Sequence, residues 1–125
     1  MEKPKSKKGV ARLVRALRYS LQGIAACYRN EEAFRQEAIV FAVLLVVILL
    51  IPVSGIIKLL LFSVNSLVLI VELLNSAVEA IVDRVSPEYD ELAGRAKDMG
   101  SAAVLLSLIA AAAVWLYALY LVIFA

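Results

Sequence analysis

Uncharged stretches dominate the pattern of polar and apolar positions along this chain. Residues 38–57 and 99–125 contain no charged side chain, and a third run, 59–82, is interrupted only by Glu72 and Glu79. Each run reaches the roughly 20 residues that an α-helix needs to cross the hydrocarbon of a bilayer. Three membrane-spanning helices are therefore predicted, over residues 34–52, 56–85 and 98–124.

A different periodicity precedes the first span. Apolar side chains recur at helical spacing along one face of residues 10–28, and basic side chains occupy the other face. The apolar positions are Val10, Leu13, Val14, Leu17, Leu21 and Ile24, and the basic ones are Arg12, Arg15 and Arg18. Such a helix lies in the membrane surface with its cations among lipid phosphates. The pattern fits a simple topology anchor as well as it fits a direct catalytic role.

Interruptions in these periodic segments predict the connections between helices. Pro, Ser and Gly at 52–55 mark a turn, and Asn30 is a candidate N-cap for the first span. The second span should end before Pro87, which leaves 86–97 as a polar loop. Aromatic side chains near the end of the third span are typical of an interfacial belt; they are Trp115, Tyr117 and Tyr120.

Composition agrees with a single all-α membrane domain. The chain has 125 residues, of which 63% are hydrophobic, well above the half that is usual for soluble domains. Residues 1–9 are predicted to form a disordered basic tail. No cleavable signal peptide is expected, because the first apolar run begins only after residue 37.

The basic residues are distributed unevenly, which predicts the orientation of the chain. Seven of the thirteen precede residue 19, and the 84–98 connection carries three more. By the positive-inside rule both regions face the cytoplasm, and the C-terminus faces the opposite side of the membrane. Nucleic acid is not expected as a partner, because no aromatic platform accompanies the basic end.

The side chains that the chain lacks restrict its chemistry. There is no histidine, and Cys27 is the only cysteine, so a histidine-rich metal site and an intramolecular disulfide are excluded. Any general base must be a carboxylate or, less favourably, a lysine. There is also no Walker-type glycine loop and no kinase catalytic-loop signature.

One polar ridge runs along the second span. Glu72, Asn75, Ser76, Glu79 and Asp83 follow the spacing i, i+3, i+4, i+7, i+11, which places them on one helical face. A charged residue at the bilayer centre costs about 2.5–3.5 kcal/mol even on the insertion scale, so repeated ionisable residues on one face indicate function. Counted from the turn, the hydrocarbon ends near Asn75, so Glu72 lies just inside it, Glu79 at the headgroups and Asp83 in water.

This gradient of depth suits a lipid alcohol that meets a water-soluble, metal-bound reagent. Mg²⁺ often uses one or two carboxylates together with substrate phosphates. Glu79 and Glu31 are placed to supply these carboxylates. Lys97 can hold a phosphate as a point charge. A proton- or cation-conducting oligomer and a non-catalytic scaffold remain alternatives, although the acidic residues of 86–98 and Glu31 favour an enzyme.

Three segments give the chain a specific resemblance. They are Asn-Glu-Glu-Ala-Phe-Arg-Gln-Glu at 30–37, Val-Glu-Leu-Leu-Asn-Ser-Ala-Val-Glu-Ala-Ile-Val-Asp-Arg at 71–84, and Gly-Arg-Ala-Lys-Asp-Met-Gly-Ser-Ala-Ala-Val at 94–104. Together they resemble the small integral membrane diacylglycerol kinases of bacteria, over nearly the whole chain beyond the tail. The resemblance implies a homotrimer in the inner membrane, with active sites shared between neighbouring subunits. It also implies transfer of the γ-phosphate of MgATP to diacylglycerol, although a related subgroup phosphorylates undecaprenol.

The resemblance also implies roles for individual residues. Glu72 would be the general base on the lipid hydroxyl, Asn75 would orient it, and Glu31 and Glu79 would bind the divalent ion. Contacts to the nucleotide would come from Arg12, Tyr19, Glu88, Tyr89, Asp90, Lys97 and Asp98, and contacts to the lipid from Arg12, Ala16, Glu72 and Met99. Asn65 departs from the family pattern, which has an apolar residue there, and an interhelical hydrogen bond is its expected role.

Overall fold

The computed structural model describes residues 8–125, and this part of the chain is helical throughout, apart from short connections. Its four helices are α1 (Val10–Asn30), α2 (Glu32–Leu50), α3 (Gly55–Val85) and α4 (Glu91–Phe124). The described residues contain no strand, which confirms the all-α class. Residues 1–7 of the predicted tail lie outside the described residues.

Helices α2, α3 and α4 are each long and apolar enough to cross a membrane, as the uncharged runs predict. At 1.5 Å per residue, the 31 residues of α3 and the 34 of α4 measure about 46 and 51 Å, against roughly 30 Å of hydrocarbon. The two helices are antiparallel and joined by residues 86–90. Since α3 starts at the turn after α2, the excess length of both helices extends past the hydrocarbon on the side of this connection.

One extended residue separates the surface helix from the first span. Glu31 has φ −118° and ψ 112°, and it stands between the last residue of α1 and the first residue of α2. The prediction that Asn30 caps α2 is wrong. Its Nδ2 donates to the carbonyl oxygen of Ala26, 2.8 Å away, because Asn30 belongs to the last turn of α1. Glu31 is therefore fixed at the joint of two helices.

Arg35 on α2 stabilises the joint between α1 and α2 through hydrogen bonds. Its Nη1 donates to the carbonyl oxygens of Tyr28 at 2.9 Å and Arg29 at 3.0 Å. The last carbonyls of a helix have no partner within the helix, and a cation near them also complements the helix dipole. A side chain of α2 thereby closes the end of α1.

The turn between α2 and α3 is capped from both sides. Ser54 is the N-cap of α3, and its Oγ accepts a hydrogen bond from the backbone nitrogen of Ile57 at 3.3 Å. Lys58 reaches back, and its Nζ donates to the carbonyl oxygen of Leu49 at 3.0 Å. The two helices are thus held antiparallel by a four-residue connection, residues 51–54.

Helix α4 begins earlier than the sequence predicts. The loop expected over 86–97 ends at Asp90, and Glu91 already belongs to the helix. Leu92, Ala93 and Ala96 line a groove of about 220 Å³ together with the end of α3. These apolar positions fall on one helical face beside α3. The segment is therefore more stable as a continuation of α4 than as a loop.

A buried apolar cluster lies between α2, α3 and α4 near the 51–54 turn. Ile48, Leu61 and Ala118 form the buried cluster, with Trp115 among the side chains packed against it. Trp115 Nε1 donates to Oδ1 of Asn65 at 3.0 Å, which confirms the interhelical hydrogen bond expected of Asn65. The indole nitrogen of Trp115 is thus bonded inside the bundle, and the aromatic belt expected near the end of the third span stays a prediction.

Candidate active site

The polar ridge of α3 becomes steadily more exposed toward the end of the helix. Glu72 is only 6% exposed, Asn75 and Glu79 are partly buried, and the side chain of Asp83 is 64% exposed. Helical spacing alone places these side chains on one face, and the packing of α2 and α4 determines how deeply each is covered. The ridge therefore runs from an enclosed carboxylate to a solvated one within three turns.

Further carboxylates surround Glu72. Glu37 on α2, Glu79 on α3 and Glu31 at the joint all lie close enough to repel it electrostatically. Four acidic side chains from three elements of the fold thus share one region. Such a concentration of negative charge is unfavourable unless a cation or protons occupy it. The region is suited to bind a positive ion.

Glu37 belongs to this group, although its proximity to Glu72 was not predicted. The sequence marks it only as the last charge before the uncharged run 38–57. A charge at that place is easily taken for an ordinary helix end. Its position relative to the ridge depends on how α2 packs against α3, which the sequence pattern does not contain.

Two of these carboxylates, Glu31 and Glu79, are donors of the kind that a magnesium ion uses when it also binds substrate phosphates. Within residues 8–125, no three or more Asp, Glu, Cys or His side chains form a complete metal-binding group. Mg²⁺ does not need one, because it is usually held by one or two carboxylates together with substrate phosphates and water. Glu31 and Glu79 offer carboxylate oxygens of this kind beside Glu72.

Asn75 is held in a defined direction on the ridge. Its Nδ2 donates to Oε1 of Glu79 at 3.4 Å. Its Oδ1 is enclosed and has no hydrogen-bond partner, and it faces Gly100 of α4. The amide therefore connects the ridge of α3 to the neighbouring helix.

Lys97 is placed by an ion pair. Its Nζ lies 2.6 Å from Oδ1 of Asp83, and the two side chains are 44% and 64% exposed. The pair joins α3 and α4 at the end where both extend beyond the hydrocarbon. Lys97 is thereby held on the ridge side of α4, where a phosphate could approach it from solvent.

A cleft of about 690 Å³ opens between the second half of α1 and α3. Small residues make the room for it, among them Gly23, Ala26, Ser76 and Ala77, and Glu31 lies at its edge. Its lining is mostly apolar, with a few polar groups, as is usual for ligand sites. The cleft is large enough to admit part of a lipid.

The structure does not bring every predicted residue to this region of the chain. Arg12 and Ala16 are exposed on α1, and Tyr19 is 51% exposed. Arg12 precedes Glu31 by 19 residues, which is about 28 Å along a helix. The predicted contacts after α3 and at the start of α4 are likewise exposed; they are Glu88, Tyr89, Asp90, Asp98 and Met99.

Comparison with known proteins places these features in a family. A family model described as prokaryotic diacylglycerol kinase matches residues 18–119. A diacylglycerol kinase of Escherichia coli (strain K12) is 50% identical over 107 residues, covering 86% of this chain and 88% of that protein. One from Pseudomonas aeruginosa is 47% identical over 111 residues, covering 89% and 90% of the two chains. One from Haemophilus influenzae is 42% identical over 107 residues, covering 86% and 91%.

Proposed function

Because this chain belongs to the prokaryotic diacylglycerol kinase family, we propose that it transfers the γ-phosphate of MgATP to diacylglycerol, giving phosphatidate and ADP. The observation that carries the proposal is the enclosed carboxylate of Glu72, which stands at the deep end of a ridge that leads to solvent. A lipid hydroxyl reaches such a group from the membrane, and a nucleotide reaches the outer end of the ridge from water.

Glu72 acts as the general base in this proposal. Its carboxylate accepts the proton of the lipid hydroxyl as the hydroxyl oxygen attacks the γ-phosphorus, and the bond from phosphorus to the β–γ bridging oxygen breaks to release ADP. Phosphoryl transfer depends mainly on positioning and on neutralising charge, so a small set of side chains is adequate. Asn75 donates a hydrogen bond to Glu79 and thereby keeps the side chains of the ridge in place beside the base.

Glu31 and Glu79 hold the divalent ion in this proposal, which is Mg²⁺ as the co-substrate MgATP requires. When bound, the ion neutralises charge on the phosphates. The repulsion that Glu72 experiences from Glu31, Glu37 and Glu79 supports this assignment, because a bound cation relieves it. Lys97, held on the same side by Asp83, approaches the phosphates from α4.

The remaining nucleotide and lipid contacts come from a neighbouring subunit in this proposal. Arg12 and Tyr19 lie far along α1 from Glu31, so they are poorly placed to serve the Glu72 of the same chain. A homotrimer with shared sites brings α1 of one chain to the ridge of the next. Exposed apolar side chains on all three spans are available for such packing and for lipid.

The proposed orientation follows the same logic. ATP is present in the cytoplasm, so the N-terminus and the 84–98 region face it, and the C-terminus faces the periplasm. The basic residues ahead of residue 19 support this arrangement under the positive-inside rule. The protein then lies in the inner membrane, with its ridge opening toward the nucleotide.

A lipid phosphorylation assay tests the function. Purified protein in mixed micelles receives MgATP labelled at the γ-phosphate, with diacylglycerol in one sample and undecaprenol in another. We expect label in phosphatidate and little in the undecaprenyl product. Label on undecaprenol instead would move the chain to the related lipid kinases, and label on neither lipid would refute the kinase assignment.

Proton conduction is the alternative from another class, and one measurement addresses it. Liposomes containing the protein and a pH-sensitive dye receive a potassium diffusion potential without ATP. We expect no proton flux above that of empty liposomes. A flux that Glu72→Gln abolishes would favour conduction, since an intramembrane carboxylate is also what a proton path requires.

A further inference from the structure

Gly100 on α4 lies directly against the carboxamide of Asn75 on α3. A Cβ built on Gly100 would overlap Oδ1 of Asn75, and it would lie 3.3 Å from Cγ and 3.9 Å from Cβ of that residue. The backbone does not demand glycine here, because Gly9 is the only residue of the described chain with a positive φ. Glycine is required at position 100 by the neighbouring side chain.

The hydrogen bond to Glu79 sets which way the carboxamide points, and the contact with Gly100 receives its oxygen. Oδ1 of Asn75 is enclosed and unpartnered against Gly100, while Nδ2 donates to Glu79 at 3.4 Å. Turning the amide over would direct its oxygen at the Glu79 carboxylate, where two acceptors repel each other. The space left by the missing side chain at Gly100 thus allows the one orientation in which Asn75 binds Glu79.

The other helical glycines show that this contact is specific. Nothing lies within 4 Å of a Cβ built on Gly23 or Gly55. The three atoms nearest to a Cβ built on Gly94 all belong to the side chain of Tyr89, the first at 3.0 Å, and Tyr89 is 89% exposed and able to turn away. Asn75 has less freedom, because its Oδ1 is enclosed between two helices.

We propose that Gly100 is a positioning residue of the phosphotransfer site: it leaves room for the Asn75 carboxamide, and the carboxamide in turn restrains Glu79. The catalytic consequence rests on the proposed kinase function, whereas the contact itself does not. A methyl group at position 100 rotates the carboxamide away from Glu79 or separates α4 from α3. In either case the carboxylate proposed to hold Mg²⁺ loses its restraint.

A double-mutant cycle tests the proposal with Gly100→Ala, Asn75→Ala and the combination. We expect Gly100→Ala to lower the melting temperature in detergent, although glycine-to-alanine changes within helices ordinarily stabilise. We expect kcat to fall by about 100-fold, as displacement of a site by about an ångström does. The Mg²⁺ concentration for half-maximal activity should rise. Gly55→Ala, which enters open space, is the matched control and should change none of these.

The combined variant separates positioning from helix spacing. Once Asn75 is alanine, the new methyl group meets no atom closer than the Cβ of that residue at 3.9 Å, an ordinary contact. Gly100→Ala should then change neither the melting temperature nor the residual activity of the Asn75→Ala protein. This strong non-additivity is expected only where the two residues act through each other.

Each other outcome has a definite meaning. Additive losses in the cycle, a combined variant that fails to fold, or a Gly100→Ala protein with wild-type activity and stability would overturn the proposal. A Gly100→Ala protein that does not fold, beside a combined variant that does, supports the contact. If the unaltered protein phosphorylates neither lipid, the proposed function fails, while the melting temperatures still decide whether Gly100 accommodates Asn75.

Discussion

Asn65 on α3 accepts a hydrogen bond from the indole nitrogen of Trp115 on α4, over 3.0 Å and within the membrane-spanning part of the bundle. Asn65 is 7% exposed, and its Nδ2 has no partner, so Trp115 provides the amide's interhelical bond. A polar group in hydrocarbon is unfavourable unless it is paired. The pair therefore fixes the register of α3 and α4 through two residues that are 50 positions apart in sequence.

A double-mutant cycle should measure this pairing. Asn65→Leu leaves the indole N–H unpaired and Trp115→Phe leaves the amide unpaired, so each should destabilise by about 1–2 kcal/mol. The combined variant has an apolar pair and should recover most of that loss. Unfolding in mixed micelles with increasing dodecyl sulfate gives the free energies. Additive losses would show that the hydrogen bond contributes nothing beyond packing.

Glu72→Gln should abolish turnover and preserve the fold. The amide is nearly the same size as the carboxylate but accepts no proton, and loss of a general base typically lowers kcat by about 10²–10⁴-fold. Nucleotide affinity should remain near that of the unaltered protein, measured by equilibrium binding of a fluorescent ATP analogue. Glu32→Gln, at an exposed carboxylate of α2, is the control. If the Glu72 variant fails to fold while the control folds, Glu72 is structural.

Asp83 and Lys97 should respond differently to replacement. Their ion pair is partly exposed, and such pairs add little to stability, so Asp83→Asn and Lys97→Gln should both melt close to the unaltered protein. Lys97→Gln should raise the KM for ATP and lower kcat, because its charge meets the phosphates. Asp83→Asn should raise KM more modestly, through a less restrained Lys97. Equal losses in both variants would mean that the pair acts as a unit.

Arg35→Gln should loosen the joint between α1 and α2. The substitution removes the charge-assisted hydrogen bonds to the carbonyls of Tyr28 and Arg29, for a loss of about 1 kcal/mol. Backbone amides near Glu31 should then exchange hydrogen faster, as mass spectrometry of peptic fragments would report. Arg95→Gln, at an exposed position of α4, should leave that exchange unchanged. Unchanged exchange in the Arg35 variant would show that Arg35 does not stabilise the joint.

Mixing two inactive proteins should restore activity if neighbouring subunits share a site. Glu72→Gln and Arg12→Ala are each expected to be inactive as a uniform protein. In a trimer reassembled from equal amounts, about a quarter of the sites would receive an intact Glu72 from one chain and an intact Arg12 from its neighbour. The assay is diacylglycerol phosphorylation after joint unfolding and refolding. Activity that stays at the level of the separate variants would place both residues in one subunit's site.

The membrane architecture follows from the sequence because the bilayer imposes so simple a requirement. An apolar run of about 20 residues without charges has few alternatives to a spanning helix, so runs such as 38–57 are enough to predict one. Helical periodicity likewise places Glu72 and Glu79 on one face without further information. Prediction succeeded for features that depend on a single helix and the solvent around it.

Prediction failed where two helices determine the outcome together. Asn30 looks like a cap for α2, but the chain turns only at Glu31, so its amide bonds within α1. Helix α4 starts early because Leu92 and Ala93 lie on the helical face beside α3 and line a groove together with its last turn. Gly100 and Asn75 are 25 positions apart in sequence, and their contact depends on how α3 and α4 cross, which no local pattern contains.

The length of α3 and α4 beyond the hydrocarbon has a kinetic consequence. The ridge ends on helices that extend into the aqueous layer, while its deep end stays at the edge of the lipid. One substrate therefore arrives by diffusion in two dimensions and the other by diffusion in three. The rate of such an enzyme depends on the mole fraction of diacylglycerol in the bilayer and on the bulk concentration of ATP. Diluting the membrane with inert phospholipid slows it, whereas adding buffer at constant nucleotide concentration does not.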